Sequence, residues 1–191
     1  MGKIRNSIVI GTPLMLAAVA FTSWFESGPQ GSRLVAYQDQ GGVWTICDGI
    51  TKGVTPGMRV TQEWCDRKLM ETIESHSKPL DKVPYQMTDG ARLAWGDALV
   101  NLGGSLADPA NSTPWRRLVA GDWRESCDAF LMYRYTRVGD TRRDCSRPAS
   151  NCGGIWTRRN AQRDLCQGRI TVDEFLRTVR GTPMNQQGVT D

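Results

Sequence analysis

The chain has 191 residues, 39% apolar and 23% charged, an ordinary composition for a folded soluble domain that argues against global disorder. That length buries one sizeable core, so a single catalytic domain with an N-terminal appendage is expected. The net charge of +4 is modest, and with no recognition-helix, zinc-finger or RNA-binding signature beside it nucleic acid is a poor partner.

The N-terminus carries Lys3 and Arg5, and no acid precedes Glu26. The 18 residues from Ile8 to Phe25 are uncharged, which as a helix is barely enough to cross the hydrocarbon core of a bilayer. The run is also weakly apolar, diluted by Gly11, Thr12, Pro13, Thr22, Ser23 and the alanines at 17, 18 and 20. Three readings stand: a permanent anchor, a signal peptide cleaved near Ala18-Val19-Ala20, or a marginal segment that tethers the protein and later slips out of the membrane. All three keep the N-terminus inside and place the body of the protein outside the cytoplasm.

Leu34–Tyr37 and Val43–Cys47 are β-branched and aromatic runs separated by Gln38-Asp39-Gln40-Gly41-Gly42, which predicts a hairpin closing near Asp48-Gly49. Helical periods follow from Thr61 to the stop at Pro79, and from Thr88 to Leu102 before Gly103-Gly104. Ser112-Thr113-Pro114 opens a short helix through Val119. Helices over Asp122–Tyr133, Ile155–Cys166 and Thr171–Val179 complete the set, the last with capping-box spacing at Thr171 and Glu174. Asp140–Gly154 reads as a loop and Thr182–Asp191 as a flexible tail. The pattern is α+β, a small β-lobe followed by a larger helical lobe, with a cleft between them suited to a polymer.

Six cysteines, Cys47, Cys65, Cys127, Cys145, Cys152 and Cys166, form an even set without the two-residue spacing of a metal knuckle. Neither they nor the lone His76, in a polar stretch at a helix end, predicts a metal site, and no cofactor is implied. Disulfides are expected, and with them an oxidising compartment such as the periplasm. Six cysteines allow fifteen pairings among which sequence does not choose. Cys47 with Cys65, Cys145 with Cys152 and Cys127 with Cys166 is the preferred set. The arginines after Trp115, among them Arg116, Arg142, Arg158 and Arg159, read first as a solvated face and second as a surface for an anionic polymer or membrane.

Glycoside hydrolysis needs two carboxyl groups flanking the scissile bond. The stretch Ala36-Tyr37-Gln38-Asp39-Gln40-Gly41-Gly42-Val43-Trp44-Thr45-Ile46-Cys47-Asp48-Gly49 resembles the phage lysozyme family, whose hairpin carries Tyr-x-Asp, a Gly, and a Thr-Ile six residues past the Asp. Leu102-Gly103, Ser112-Thr113 and Gly121-Asp122 extend the resemblance into the helical lobe, and Thr157-Arg158-Arg159 with Asp164-Leu165-Cys166 into the C-terminal helix. It spans Trp24 to Gln167, strongest at the hairpin and weakest between Thr72 and Thr88.

The resemblance implies an α+β lysozyme-like fold, a monomer acting on bacterial peptidoglycan, and a muramidase that cuts between N-acetylmuramic acid and N-acetylglucosamine. Its signal-arrest-release members are exported to the host periplasm, tethered at first to the inner membrane. Asp39 then corresponds to the base that orients water, and Thr45 to an auxiliary water ligand. The bland alternatives are a turn aspartate bonded to its own backbone and an ordinary strand threonine. The family's glutamate, nine residues before the aspartate, falls here on Gln30, which cannot donate the catalytic proton. Reading Ser27–Gln30 as an insertion joins Trp24-Phe25-Glu26 to Gly31-Ser32-Arg33-Leu34 and makes Glu26 the acid. Kept at Gln30, the register describes a catalytically dead wall-binding or regulatory lysis protein instead. Ile50-Thr51 replaces the family's frequent His-Thr, and Asp48 is a third carboxylate ranked behind Asp39. The expected division is a membrane segment over 1–25, a catalytic domain over 26–181 and a tail over 182–191.

Overall fold

A computed structural model describes residues 4–39 and 41–181, so the expected tail, Lys3 and Gln40 lie outside the described residues. The element order is α1 (Pro13–Ser27), β1 (Arg33–Gln38), β2 (Trp44–Cys47), α2 (Gln62–Ser77), α3 (Asp89–Leu102), α4 (Thr113–Ala120), α5 (Trp123–Asp128), β3 (Tyr135–Val138), β4 (Thr141–Asp144), α6 (Gly153–Cys166) and α7 (Val172–Gly181). Strands β1 and β2 pair antiparallel with Tyr37 opposite Thr45, forming the small lobe. The helices gather around α3, which packs on α6, α2 and α1. Its approach to α6 requires glycine at position 90, where a Cβ would sit 2.5 Å from the Leu165 carbonyl oxygen.

The apolar segment is where expectation and structure differ most. It does not stand before the domain: α1 lies in the main core, burying Leu14, Met15, Ala17, Ala18, Phe21, Thr22 and Trp24, and the boundary expected after Phe25 falls inside its last turn. No helix among the described residues is long and apolar enough to cross a membrane. The reason is local chemistry. Gly11 turns the chain with φ +87°, the Thr12 hydroxyl caps the helix by accepting from the Met15 amide, and Pro13 takes the first helical position, so the helix is only 15 residues long and begins five residues into the run. Upstream, Asn6, Ser7 and Ile8 are buried against the turn after α2, and Ile8 fills the space left by Gly96 of α3.

Two other expectations are corrected. The segment read as a loop from Asp140 begins instead inside a second hairpin, β3–β4, with Val138 opposite Thr141 across Gly139-Asp140. Its alternation is hidden by arginines, one of which, Arg142, stacks 3.8 Å from the centre of the Tyr135 ring. The helix expected over Asp122–Tyr133 ends at Asp128 and continues as a 3-10 turn over Ala129–Tyr133. The preferred disulfides all form: Cys47–Cys65 ties β2 to α2, Cys127–Cys166 ties α5 to α6, and Cys145–Cys152 closes the segment before α6.

Candidate active site

The lobes meet at a cleft of ≈ 540 Å³. Its β-side is the turn after β2, from Cys47 to Lys52, and its helical side includes Thr22 and Glu26 of α1, Leu69 and Thr72 of α2, and Asn101 of α3. At Asn101 it joins a second cleft of ≈ 610 Å³ bordered by Trp24, Phe25, Trp156 and Arg158.

Glu26 sits on the last turn of α1 with its side chain 34% exposed, and Arg158 holds it from behind, Nη1 donating to Oε1 at 2.6 Å. Arg158 is almost wholly buried and spends its other two nitrogens on Asp97 of α3, Nε to Oδ2 at 2.9 Å and Nη2 to Oδ1 at 2.6 Å. Asp97 also accepts from the Thr22 hydroxyl at 3.0 Å and from Gln162 Nε2 at 2.7 Å. Next along α6, Arg159 donates to Gln162 Oε1 at 2.7 Å and to Asn101 Oδ1. Burial disfavours the Arg158 charge, but the Asp97 carboxylate first, with the hydrogen-bonded Glu26 beside it, outweighs it and holds the guanidinium proton above the ordinary arginine range. Burial, with the positive charge of Arg158 beside it, pulls Arg159 down to about 10, still protonated at neutral pH. These two arginines are therefore not part of a solvated face; α6 turns both inward onto buried carbonyl and carboxylate oxygens.

The other expected residues divide. Asp48 lies in the cleft with Glu26, its two oxygens taken by the hydroxyls of Ser23 and Ser27, both on α1. Asp39 lies on the exposed turn of the first hairpin, outside that lining. Its Oδ1 accepts from the amides of Gly41 and Val43, each at 2.9 Å, and Oδ2 has no hydrogen-bond partner among the described residues. Thr45 is 3% exposed on β2 and donates its hydroxyl proton to the Val43 carbonyl at 3.0 Å. Gln30 is exposed just after α1, in the short turn Gly28–Gln30. Sequence reasoning missed Asp97. Its signal is a lone acid inside the apolar run Ala94-Trp95-Gly96-Asp97-Ala98-Leu99-Val100, where a charge is stable only if paired.

Residues 28–162 match the model of the Phage lysozyme family. The chain belongs to the phage lysozyme family. The enzyme is a glycoside hydrolase of the lysozyme type whose substrate class is peptidoglycan. It is 34% identical over 182 residues to a protein named SAR-endolysin from Escherichia phage 933W, covering 87% of this chain and 97% of that one. It is 32% identical, over the same shares, to a probable prophage lysozyme of Escherichia coli strain K12. Among solved structures, an endolysin from Escherichia coli O157:H7 phage FAHEc1 shares the fold with a TM-score of 0.68 at 22% identity, over 85% of this chain and 98% of that one. The active form of the P1 phage endolysin Lyz shares it with a TM-score of 0.60 at 20% identity, over 87% and 88%. The family match begins just after Glu26, so that residue's place rests on its surroundings in the fold.

Proposed function

We propose that this lysozyme is an active muramidase of host-cell lysis, cutting between N-acetylmuramic acid and N-acetylglucosamine with Glu26 as the general acid and Asp39 as the base. The observation that carries the reading is Glu26 itself: a part-exposed carboxyl at the rim of a two-lobed cleft, aimed by a buried arginine. A glycan strand laid along the two clefts passes the Glu26 side of Asn101, where the acid protonates the leaving glycosidic oxygen. Asp39 is fixed by two backbone amides on one oxygen, and the other is available to a water. Asp48 differs, because both its oxygens are engaged by α1 serines and tie the β-lobe to the helix. Thr45 is assigned the auxiliary role on that water, by its place in the family's hairpin motif. Gln30, on the exposed turn, lacks the buried cation that backs Glu26.

Turnover of purified peptidoglycan tests the assignment. Glu26→Gln and Asp39→Asn are each expected to lower it by about 100- to 10,000-fold, the usual loss for a catalytic acid or base. Asp48→Asn is expected to keep most activity and lose stability. Normal turnover in Glu26→Gln would overturn the acid, and full activity in Asp39→Asn with a dead Asp48→Asn would move the base to Asp48. If the parent is inert and Gln30→Glu makes it active, the protein is a degenerate lysozyme.

The same reading includes export on the apolar segment, with the protein tethered to the inner membrane before α1 joins the domain. The names of the SAR-endolysin relatives support it, as does the marginal hydrophobicity of residues 8–25. Thr12→Leu with Ala20→Leu raises that hydrophobicity without touching the cleft, and is expected to hold more protein in the membrane fraction and delay lysis. Unchanged fractionation and lysis time would remove the tether.

A further inference from the structure

Resting on the reading of Glu26 as the acid, we infer that Asp97 is a positioning residue for catalysis: it aims Arg158 at Glu26 and offsets the arginine's charge there, so that the acid keeps its proton. Two requirements at this site conflict. The acid must be held in one orientation, which the hydrogen bond from Arg158 at 2.6 Å provides. It must also be protonated when the substrate arrives, and an uncompensated guanidinium at that distance favours the ionised carboxylate. Asp97 resolves the conflict from the far side of the same guanidinium. It is 1% exposed, takes two of the three Arg158 nitrogens in a bidentate pair, and so cancels the charge that Glu26 would otherwise meet.

The other groups around Glu26 do not replace this compensation. Behind Arg158 on α6 stands Arg159, a further positive charge, bound to Gln162 and Asn101. From the turn after β2 come Asp48, held by Ser23 and Ser27, and Lys52. The α2 residues on the cleft, Cys65, Leu69 and Thr72, are uncharged. Asp97 is thus the buried negative charge set against Arg158, and four hydrogen bonds from three side chains saturate it. One of those donors is Thr22, a polar residue of the apolar segment. Asp97 therefore reaches full coordination only when α1 is docked, which links assembly of the helix to readiness of the acid on its last turn.

The test is the pH–activity profile of purified, folded protein on peptidoglycan. Asp97→Asn keeps the shape and removes the charge. It is expected to lower maximal turnover by about tenfold and to move the high-pH limb of the profile down by roughly one pH unit. Binding to the wall is expected to be unchanged, and Asp97→Glu to return the limb toward its original position. A folded Asp97→Asn protein with normal turnover, or one whose loss is the same at every pH, overturns the inference. If Asp97→Asn does not fold, Thr22→Val removes a single hydrogen bond to Asp97; turnover lowered by about 2- to 3-fold with a smaller shift in the same direction is then expected, and an unchanged profile overturns the inference. Glu26→Gln separates the two claims. If it remains active, the acid assignment fails and this inference with it. If it is dead while Asp97→Asn is normal, only the inference fails.

Discussion

Helix α1 and the first hairpin border the same cleft, yet they are held in place by different forces. Helix α1 belongs to the main core: Phe21 is fully buried, with its ring centroid 4.6 Å from that of Phe175 and 5.1 Å from that of Phe25. Among the described residues the hairpin's buried apolar cluster is small, Ile46 and Cys47 packed with Cys65 of α2, and the hairpin leans on backbone hydrogen bonds and the Cys47–Cys65 bridge. Glu26 is therefore placed by the packing of the whole helical lobe, whereas Asp39 is placed by a turn of five residues. Damage to the core should displace Glu26, the proposed acid, and damage to the hairpin should loosen Asp39, the proposed base, alone.

The largest effect is expected from Phe21→Ala. Truncating a fully buried phenylalanine typically costs about 3–5 kcal/mol, and here the cavity opens between α1 and α7. Chemical denaturation should show one cooperative transition shifted by that amount, because α1 is continuous with the core. A separate early transition for α1 would show that the helix is only loosely attached. Next comes Cys47→Ser with Cys65→Ser. Loss of one bridge costs about 2–4 kcal/mol, but through the hairpin first. Amide exchange should quicken over 33–47 while α3 and α6 keep their protection. Equal loss of protection in α3 would erase the contrast between the regions.

This contrast also separates what the sequence discloses from what it hides. Features fixed within a few residues were legible: the first hairpin, the caps at Thr88 and Ser112, and the capping box in which Thr171 and Glu174 exchange hydrogen bonds. The disulfide pairs match the preferred set, although spacing alone could not choose it. Features fixed by distant partners were not legible. Asp97, Arg158 and Arg159 read as an unremarked acid and a pair of surface arginines, because a charge's burial depends on a partner some 60 positions away. The apolar run poses the subtler case. Its length and hydrophobicity are barely enough for a membrane, and its polar residues look like dilution. In the fold they are engaged one by one, since Thr12 caps the helix, Pro13 opens it, Thr22 reaches Asp97 and Ser23 reaches Asp48. Composition reports that such residues are present, and only tertiary structure reports what they bind.

The smallest of these effects lies at the far end of the same segment, where the chain before α1 is strapped down. Asp81, in the turn after α2, accepts from the amides of Asn6 and Ser7 through Oδ1, both at 2.8 Å, and from the Ser7 hydroxyl through Oδ2 at 3.0 Å. Arg92 adds donors to the Asn6 and Ser7 carbonyls at 3.0 and 2.9 Å. Burial pushes the Asp81 carboxyl up, but the amides of Ser7 and Asn6, the Ser7 hydroxyl and Arg5 together hold it below the usual aspartate range. A depressed folded-state value means that the carboxylate contributes stability above its unfolded value of 3.8 and loses that contribution as the pH falls through the folded value. Asp81→Asn should cost about 1–2 kcal/mol at neutral pH, a figure reduced from the fully buried case because Asp81 is only partly buried. It should also flatten the fall in melting temperature on acidification, since the variant has no carboxylate there to protonate. Melting curves from neutral pH down to about pH 3, spanning the aspartate range, check both. A variant that melts with the wild type at neutral pH would show that the strap adds nothing to packing. One that melts lower but keeps the wild-type acid slope would move the pH dependence to other carboxylates.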